Sequence, residues 1–313
     1  METPVPFCGI PTCTIDAVPC DAAAVVLGVG TSLGSALPGT ENGPYFLRRM
    51  TRAHTWSATR PQIFELNQRT VLDQVVDLGD LDTGEASLDA VLAAVELIVS
   101  RLPGHVVPFV IGGDHSITLP IVRALAGKRE HPFLVVQFDH HLDLQIWGED
   151  FADTQTPREP IFNTNVMSHV SDVVGPGGVI QVGVGPLATF ESSGADRIDS
   201  YLHRVGHQIS ITAAACHDPR ALQAIVGESR DIYITVDVDV LASSEMSSTN
   251  YPAEIGLSAS VLIEMINSIL EKNTLIGFDM VEFAAPRDAR DPKTLNDAAR
   301  AALIFLEALV RFR

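Results

Sequence analysis

The sequence predicts an α/β fold built around parallel strands, and three observations carry that expectation. Eight short runs rich in Val and Ile recur along the chain, each followed by Gly, Pro or polar residues. The runs are continuously apolar rather than alternating, as strands buried on both faces of a sheet must be. Helical patterns fall between several of them, and that alternation is the mark of α/β architecture. With 313 residues, 46% of them apolar, the chain has enough core for one unit over 1–313. No repeat, low-complexity tract or linker divides it, and such a composition excludes a disordered chain.

The predicted strands are Ala22–Gly28, Val75–Gly79, Val106–Gly112, Phe133–Asp139, Val179–Val184, Gln208–Thr212, Ile232–Val238 and Leu275–Val281. Between the second and third, Ser87 is placed to cap a helix whose Leu88, Val91, Leu92, Val95, Val99 and Leu102 share one face, with Pro103-Gly104 ending it. Ser258 plays the same part for Val261, Leu262, Met265, Ile266 and Ile269, and the Ala- and Leu-rich stretch from Thr294 to Phe312 reads as a terminal helix. Eight strands of this kind fit an open doubly wound sheet and a closed barrel equally well.

Charge narrows the partners. Lys and Arg total 21 against 39 Asp and Glu, a net charge of −18, which repels phosphate backbones and anionic lipid and argues against nucleic acid or a membrane surface. The balance suits a cationic small molecule, although a solvated acidic surface has the same composition. Cys8, Cys13 and Cys20 lack a tight C-x-x-C pair, and with Cys216 they read as incidental thiols rather than a disulfide or metal framework. The opening METPVPFCGIPT has neither a basic nor an apolar leader region. No apolar run approaches the roughly 18 residues of a membrane span. The expected setting is cytoplasmic.

Acids and histidines collect at the ends of three predicted strands. FLVVQFDHHLD carries Asp139, His141 and Asp143 at alternate positions, and IYITVDVDVL carries Asp237 and Asp239. If the extended backbone continues past each strand, a period of two aims each set one way. VVPFVIGGDHS delivers His115 just after two glycines. Ligands of parallel sheets bind off the carboxyl ends of strands. Carboxylates there are costly unless paired or bound to metal, and none of these motifs contains a Lys or Arg. Two divalent cations would balance four aspartates, with two imidazoles completing the shell; such oxygen-rich ligation favours Mn²⁺ over Mg²⁺, Co²⁺ or Zn²⁺.

GGDHS (112–116), DHHLD (139–143) and DVDVL (237–241) resemble the three metal-binding signatures of the arginase/agmatinase (ureohydrolase) family. VVLGVGTSLGSALPGTENGPYFLRR (25–49), VVDLGD (75–80) and GFDMVEFAAPRD (277–288) are similar to its flanking segments, so the resemblance spans nearly the whole chain and is agmatinase-like. It implies a three-layer α/β/α sandwich with an eight-stranded, mostly parallel sheet, not a barrel. It also implies two Mn²⁺ per subunit: His115, Asp139, Asp143 and Asp237 around one, and His141, Asp139, Asp237 and Asp239 around the other. In that family a metal-bridging hydroxide attacks the guanidinium carbon, Asp143 would orient it and pass its proton to the leaving nitrogen, and Glu282 would grip the guanidinium. The resemblance further suggests a homo-oligomer, trimer or hexamer.

Four features depart from the family pattern. His140 stands where a small residue is usual, and reads as a packing or supporting residue. The proton-shuttling histidine expected some twenty residues beyond DxHxD is replaced in FNTNVMSHV (162–170): Asn163 takes its place, Asn165 is near, and His169 follows. Asn163 and Asn165 are candidate substrate contacts, and His169 the candidate replacement shuttle. The segment ASSEMSSTNYPAEIG (242–256) and the loop TSLGSALPG (31–39) are rewritten, which blurs the substrate. The expected activity is hydrolysis of a linear guanidino compound, agmatine or a related guanidino acid, to urea and an amine. A formiminoglutamase-type hydrolase and a metal-binding relative without turnover are the alternatives. A single-zinc deacetylase would not need both Asp143 and Asp239.

Overall fold

The computed structural model describes residues 5–53, 71–144, 160–185 and 206–312; the first four residues of the opening segment lie outside them. Each apolar run becomes a strand: β1 (Ala24–Gly28), β2 (Val75–Asp80), β3 (Val107–Ile111), β4 (Leu134–Phe138), β5 (Val179–Val184), β6 (His207–Ser210), β7 (Asp231–Asp237) and β8 (Thr274–Val281). They form one open sheet in the order β2-β1-β3-β8-β7-β4-β5-β6, and every pairing is parallel. This is the doubly wound alternative, and the sheet is more uniformly parallel than expected.

Alternate strand residues feed different layers, as the pleat requires. Phe109, Ile111, Ile232, Ile234 and Val236 join one apolar cluster with α1 (Gly43–Ala53), α5 (Pro219–Val226), α6 (Ala259–Leu270) and α7 (Pro292–Arg311). Val110 and Tyr233 face the other, with α2 (Leu88–Arg101), α3 (Thr118–Ala126) and α4 (Val166–Val174). The result is a three-layer α/β/α sandwich.

The three predicted helices form. Ser87 accepts from the Ala90 N–H at 3.3 Å and Ser258 from the Val261 N–H at 3.3 Å. The last helix begins at Pro292, earlier than its apolar pattern, because Asp291 accepts from the Thr294 N–H at 2.9 Å. Among the described residues, four further helices escaped the sequence reading. Helix α3 is buried almost all round, so it lacks the one-sided stripe that marks a surface helix, and α5 spans only 8 residues. Among the described residues, no helix is long and apolar enough to cross a membrane, and all four cysteines are free.

Candidate metal centre

The site lies off the carboxyl ends of the four adjacent central strands, β3, β8, β7 and β4. After β3 the chain turns through Gly112-Gly113. A Cβ on Gly113 would fall 2.0 Å from the Thr31 carbonyl oxygen, so only glycine fits. Asp114 then caps a short 3₁₀ turn by accepting from the Ser116 N–H at 3.0 Å, while its other oxygen accepts from the Gly34 N–H at 2.9 Å. This turn carries His115 to full burial.

A hydrogen-bond chain sets the His115 ring. Its Nε2 lies 3.0 Å from the Thr235 hydroxyl, which donates to Asp279 Oδ1 at 2.5 Å. Asp279 also accepts from Thr118 at 2.8 Å and from the Tyr233 hydroxyl. The Thr235 proton being spent on Asp279, its oxygen accepts from Nε2–H, which leaves the lone pair on Nδ1. Nδ1 is buried with no hydrogen-bond partner. It sits 2.8 Å from Asp143 Oδ2, 3.3 Å from Asp139 Oδ2 and 3.6 Å from Asp237 Oδ2. A nitrogen lone pair facing three carboxylate oxygens is what a divalent cation requires.

The aspartates converge, but not by strand alternation. β4 stops at Phe138. Asp139 Oδ1 accepts from the His141 N–H at 2.6 Å, turning the chain, and Asp143 adopts a left-handed φ of 49° while its carbonyl accepts from the Met167 N–H of α4 at 3.0 Å. β7 likewise stops at Asp237, whose side chain accepts from the Asp239 N–H at 2.8 Å and opens a 3₁₀ turn. Local side-chain-to-backbone bonds win over continued extension in both segments. The extended backbone that a period of two assumes is not continued past either strand.

The six predicted ligands occupy one cluster. His141 Nδ1 is 2.9 Å from Asp239 Oδ2 and 3.7 Å from Asp139 Oδ1. Two ligand groups result, His115–Asp139–Asp143 and Asp139–His141–Asp239, sharing Asp139, with Asp237 against the first. Burial, with the charges of Asp143 and Asp239, pushes the Asp139 carboxyl up to about 7. Burial with Asp239, Asp139 and Glu282 lifts Asp237 well above the carboxylate range. Burial disfavours a charged His141, yet Asp239 outweighs it and raises that ring to about 10. These shifts share one cause, carboxylates crowded together in a buried place. This hard, oxygen-rich donor set with two imidazoles fits divalent cations.

Glu282 follows β8 with a left-handed φ of 64°, its N–H bound to the Gly113 carbonyl at 2.8 Å. Burial and nearby Asp114 push its carboxyl up to about 8. Its Oε1 accepts from the His115 N–H at 2.8 Å and from Asn163 Nδ2 at 3.1 Å, so Asn163 does reach the site. Asn165 is placed otherwise: its amide accepts from the Phe162 N–H at 2.8 Å and donates to the Pro160 carbonyl at 3.1 Å, bracing the loop. His169 lies on α4 without a hydrogen bond to any of the cluster, and burial, then Arg123, lower it to about 4. His140 packs its ring 5.5 Å from that of His141 and over Gly185, where a Cβ would fall 2.4 Å from its Nε2.

Supporting residues were missed. Besides Thr235 and Asp279, Gln137 donates to Asp139 Oδ2 at 2.6 Å, and Gln181 donates to Gln137 Oε1 at 2.7 Å and to the Leu142 carbonyl at 2.7 Å. Each is a polar residue inside an otherwise apolar buried strand, and that is the signal by which it could be found.

Comparison with known proteins places this chain in a family. The sequence matches the Arginase family over residues 22–308. It is 27% identical to the guanidinobutyrase of Pseudomonas aeruginosa over 298 residues, covering 91% of this chain and 84% of that protein. The agmatinase of Proteus mirabilis is 25% identical over 310 residues, covering 92% of this chain and 88% of that one. The proclavaminate amidino hydrolase of Streptomyces clavuligerus superposes with a TM-score of 0.78 at 20% identity, covering 100% of this chain and 97% of that one. The matched span runs from just before β1 into α7 and contains every residue of the cluster, so the chain belongs to the arginase family.

Proposed function

We propose that this protein is an amidinohydrolase that holds two divalent cations, Mn²⁺ preferred, and splits a linear guanidino compound into urea and an amine. The observation that carries the reading is the unpartnered Nδ1 of His115 among three carboxylates. His115, Asp139, Asp143 and Asp237 would hold one ion, and His141, Asp139, Asp237 and Asp239 the other. When bound, such a pair supplies Lewis acidity, lowering the pKa of a water and stabilising developing negative charge.

The chain's own residues do the rest. Both donors to Glu282 land on Oε1, which leaves Oε2 to receive the guanidinium N–H groups in a charge-assisted contact. Asn163 and the His115 N–H keep that carboxylate from rotating. Asp143, anchored through its carbonyl to α4, moves a proton at its carboxylate from water to the departing nitrogen. Water contributes its oxygen to the amidine carbon, the carbon–nitrogen bond to the tail breaks, and the products are urea and a protonated amine. Asn163 has no titratable proton, so it positions and does not shuttle.

The test is urea release after Mn²⁺ loading from agmatine, 4-guanidinobutyrate, 3-guanidinopropionate and arginine, with formamide release from formiminoglutamate in parallel. Urea from at least one guanidino compound is expected. Formamide alone would move the protein to the formimino hydrolases, and neither product with metal bound would make it a metal-binding relative without turnover.

A further inference from the structure

We propose that the substrate's tail, beyond its guanidinium, is uncharged and apolar, an alkyl or aryl group, and that Tyr251 with Leu33, Leu37 and Phe162 selects it; this rests on the guanidino hydrolase reading above. Among the described residues, seven large apolar side chains are exposed, and five of them, these four and Ile255, stand on loops at the carboxyl ends of the strands. The other two, Leu97 and Leu303, lie on α2 and α7. Exposed apolar residues gathered on the site's side of the sheet mark a binding surface.

These loops are tied to one another and to the metal centre. The Asn163 N–H donates to the Gly34 carbonyl at 2.8 Å, Asn250 Nδ2 to the Leu37 carbonyl at 3.4 Å, and the Ala284 N–H to the Ser248 carbonyl at 2.8 Å. Tyr251 brings its ring edge-on to that of the ligand His141, with centroids 6.1 Å apart. Asn163, next to Phe162, touches the guanidinium-binding Glu282. The ring of Tyr251 thus meets the cluster, and hydrogen bonds tie the loops of Leu33, Leu37 and Phe162 to one another and to the loop of Tyr251.

Charge on the rim points the same way. Among the described residues, the segments 30–40, 160–165, 242–256 and 283–286 contain no Lys or Arg, and Arg287, the next residue, is stacked over the Tyr45 ring at 4.2 Å, so these segments themselves hold no counter-ion for a carboxylate tail. Their acids are Glu245, which pairs with Arg300 at 3.6 Å and accepts from the Ala259 N–H at 2.8 Å, and the exposed Glu254. Glu254 and the net charge of −18 would favour an amine-terminated tail instead, and the experiment sets the two against each other.

Three isosteric substrates separate the cases: n-pentylguanidine, agmatine and 5-guanidinopentanoate, assayed by urea release from the Mn²⁺-loaded enzyme. A kcat/KM for pentylguanidine at least about tenfold above both others is expected, the scale at which apolar pockets discriminate. Tyr251→Ser should raise KM for pentylguanidine about tenfold while kcat stays within about twofold, and Leu33→Asp should swing preference toward agmatine. Leu97→Asp, remote on α2, should leave the preference unchanged. Agmatine or the acid matching pentylguanidine would overturn the proposal while leaving the hydrolase reading intact, as would a Tyr251→Ser loss equal for all three. No urea from any of them would remove the underlying reading and this inference with it.

Discussion

Two clusters of acids in this fold, each with a buried aspartate at its heart, meet opposite fates. At the sheet edge, Arg48 of α1 reaches Asp77 and Asp80 of β2: Nη1 pairs with Asp77 Oδ2, Nη2 lies 3.0 Å from Asp77 Oδ1, and Nε lies 2.7 Å from Asp80 Oδ1. Asp77 Oδ2 also accepts from the Phe7 N–H at 2.7 Å. There the chain supplies its own cation, and the result is scaffold. At the sheet centre, Asp139, Asp143, Asp237 and Asp239 crowd together with no Lys or Arg paired to them among the described residues. The family motifs around 25–49 and 75–80 thus encode a closed ion pair, whereas those around 115, 139 and 237 encode an open demand for charge. Burial alone does not separate structure from function; the missing counter-charge does.

The comparison can be broken at several points, with effects of decreasing size. Asp139→Asn, removing the aspartate shared by both ligand groups, should lose metal and cut kcat/KM about a thousandfold or more, since metal-ion stabilisation is worth several kcal/mol. Urea assays and metal analysis of the variant check it. Arg48→Ala should do the reverse, destabilising the fold by about 3–5 kcal/mol by stranding Asp77 while the folded fraction keeps its metal affinity; denaturant unfolding and Mn²⁺ titration read the two quantities. Gln137→Leu and Thr235→Val, which release Asp139 and His115 from their supports, should each weaken metal binding about 10–100-fold, as measured by calorimetry.

pH sharpens the same contrast. The metal-free fold keeps Asp139 protonated up to about 7, whereas an unfolded aspartate ionises near its ordinary value of about 4. The folded state therefore binds more protons in between, and stability of the metal-free protein rises as pH falls from 8 toward 5. His141, held charged to about 10, works in the same direction: its contribution is complete below about 6.5 and is lost as pH climbs through its folded value. Metal-loaded protein should show the opposite slope, because protons compete with cations for the same atoms. The stabilisation by Mn²⁺, read from thermal melts with and without the metal, should shrink toward zero as pH falls from 8 toward 5, and parallel curves would contradict the assignment. Smallest of all, His169→Ala should leave kcat within about a factor of two, since no hydrogen bond links that ring to the cluster; a large loss confined to kcat would restore it as a shuttle.

What the sequence made legible follows from physics. The central strands, buried on both faces, have no choice but continuous apolar runs, while the edge strands β2 and β6 are partly exposed and show only short ones; acids appended to such runs stand out because burial penalises them. The details of convergence were hidden. Asp143 in a left-handed conformation and Asp239 in a 3₁₀ turn depend on bonds from Asp139 and Asp237 to the backbone two residues on, which a strand-period argument overlooks. Gln137, Gln181, Thr235 and Asp279 were absorbed into their strands as exceptions, although a buried polar side chain demands a partner. Asn163 and Asn165, two positions apart, looked equivalent; only packing sends one to Glu282 and the other back into its own loop.

If residues at and just beyond the ends of β3, β4 and β7 hold a cation pair, as proposed, metal stoichiometry shows it most directly. Chelator-stripped protein titrated with Mn²⁺ should take up two ions per chain, gain thermal stability and recover urea release, with Asp139→Asn failing in all three. A stripped protein that hydrolyses its substrate unaided, or an Asp139→Asn variant that binds two ions like the parent, would contradict it.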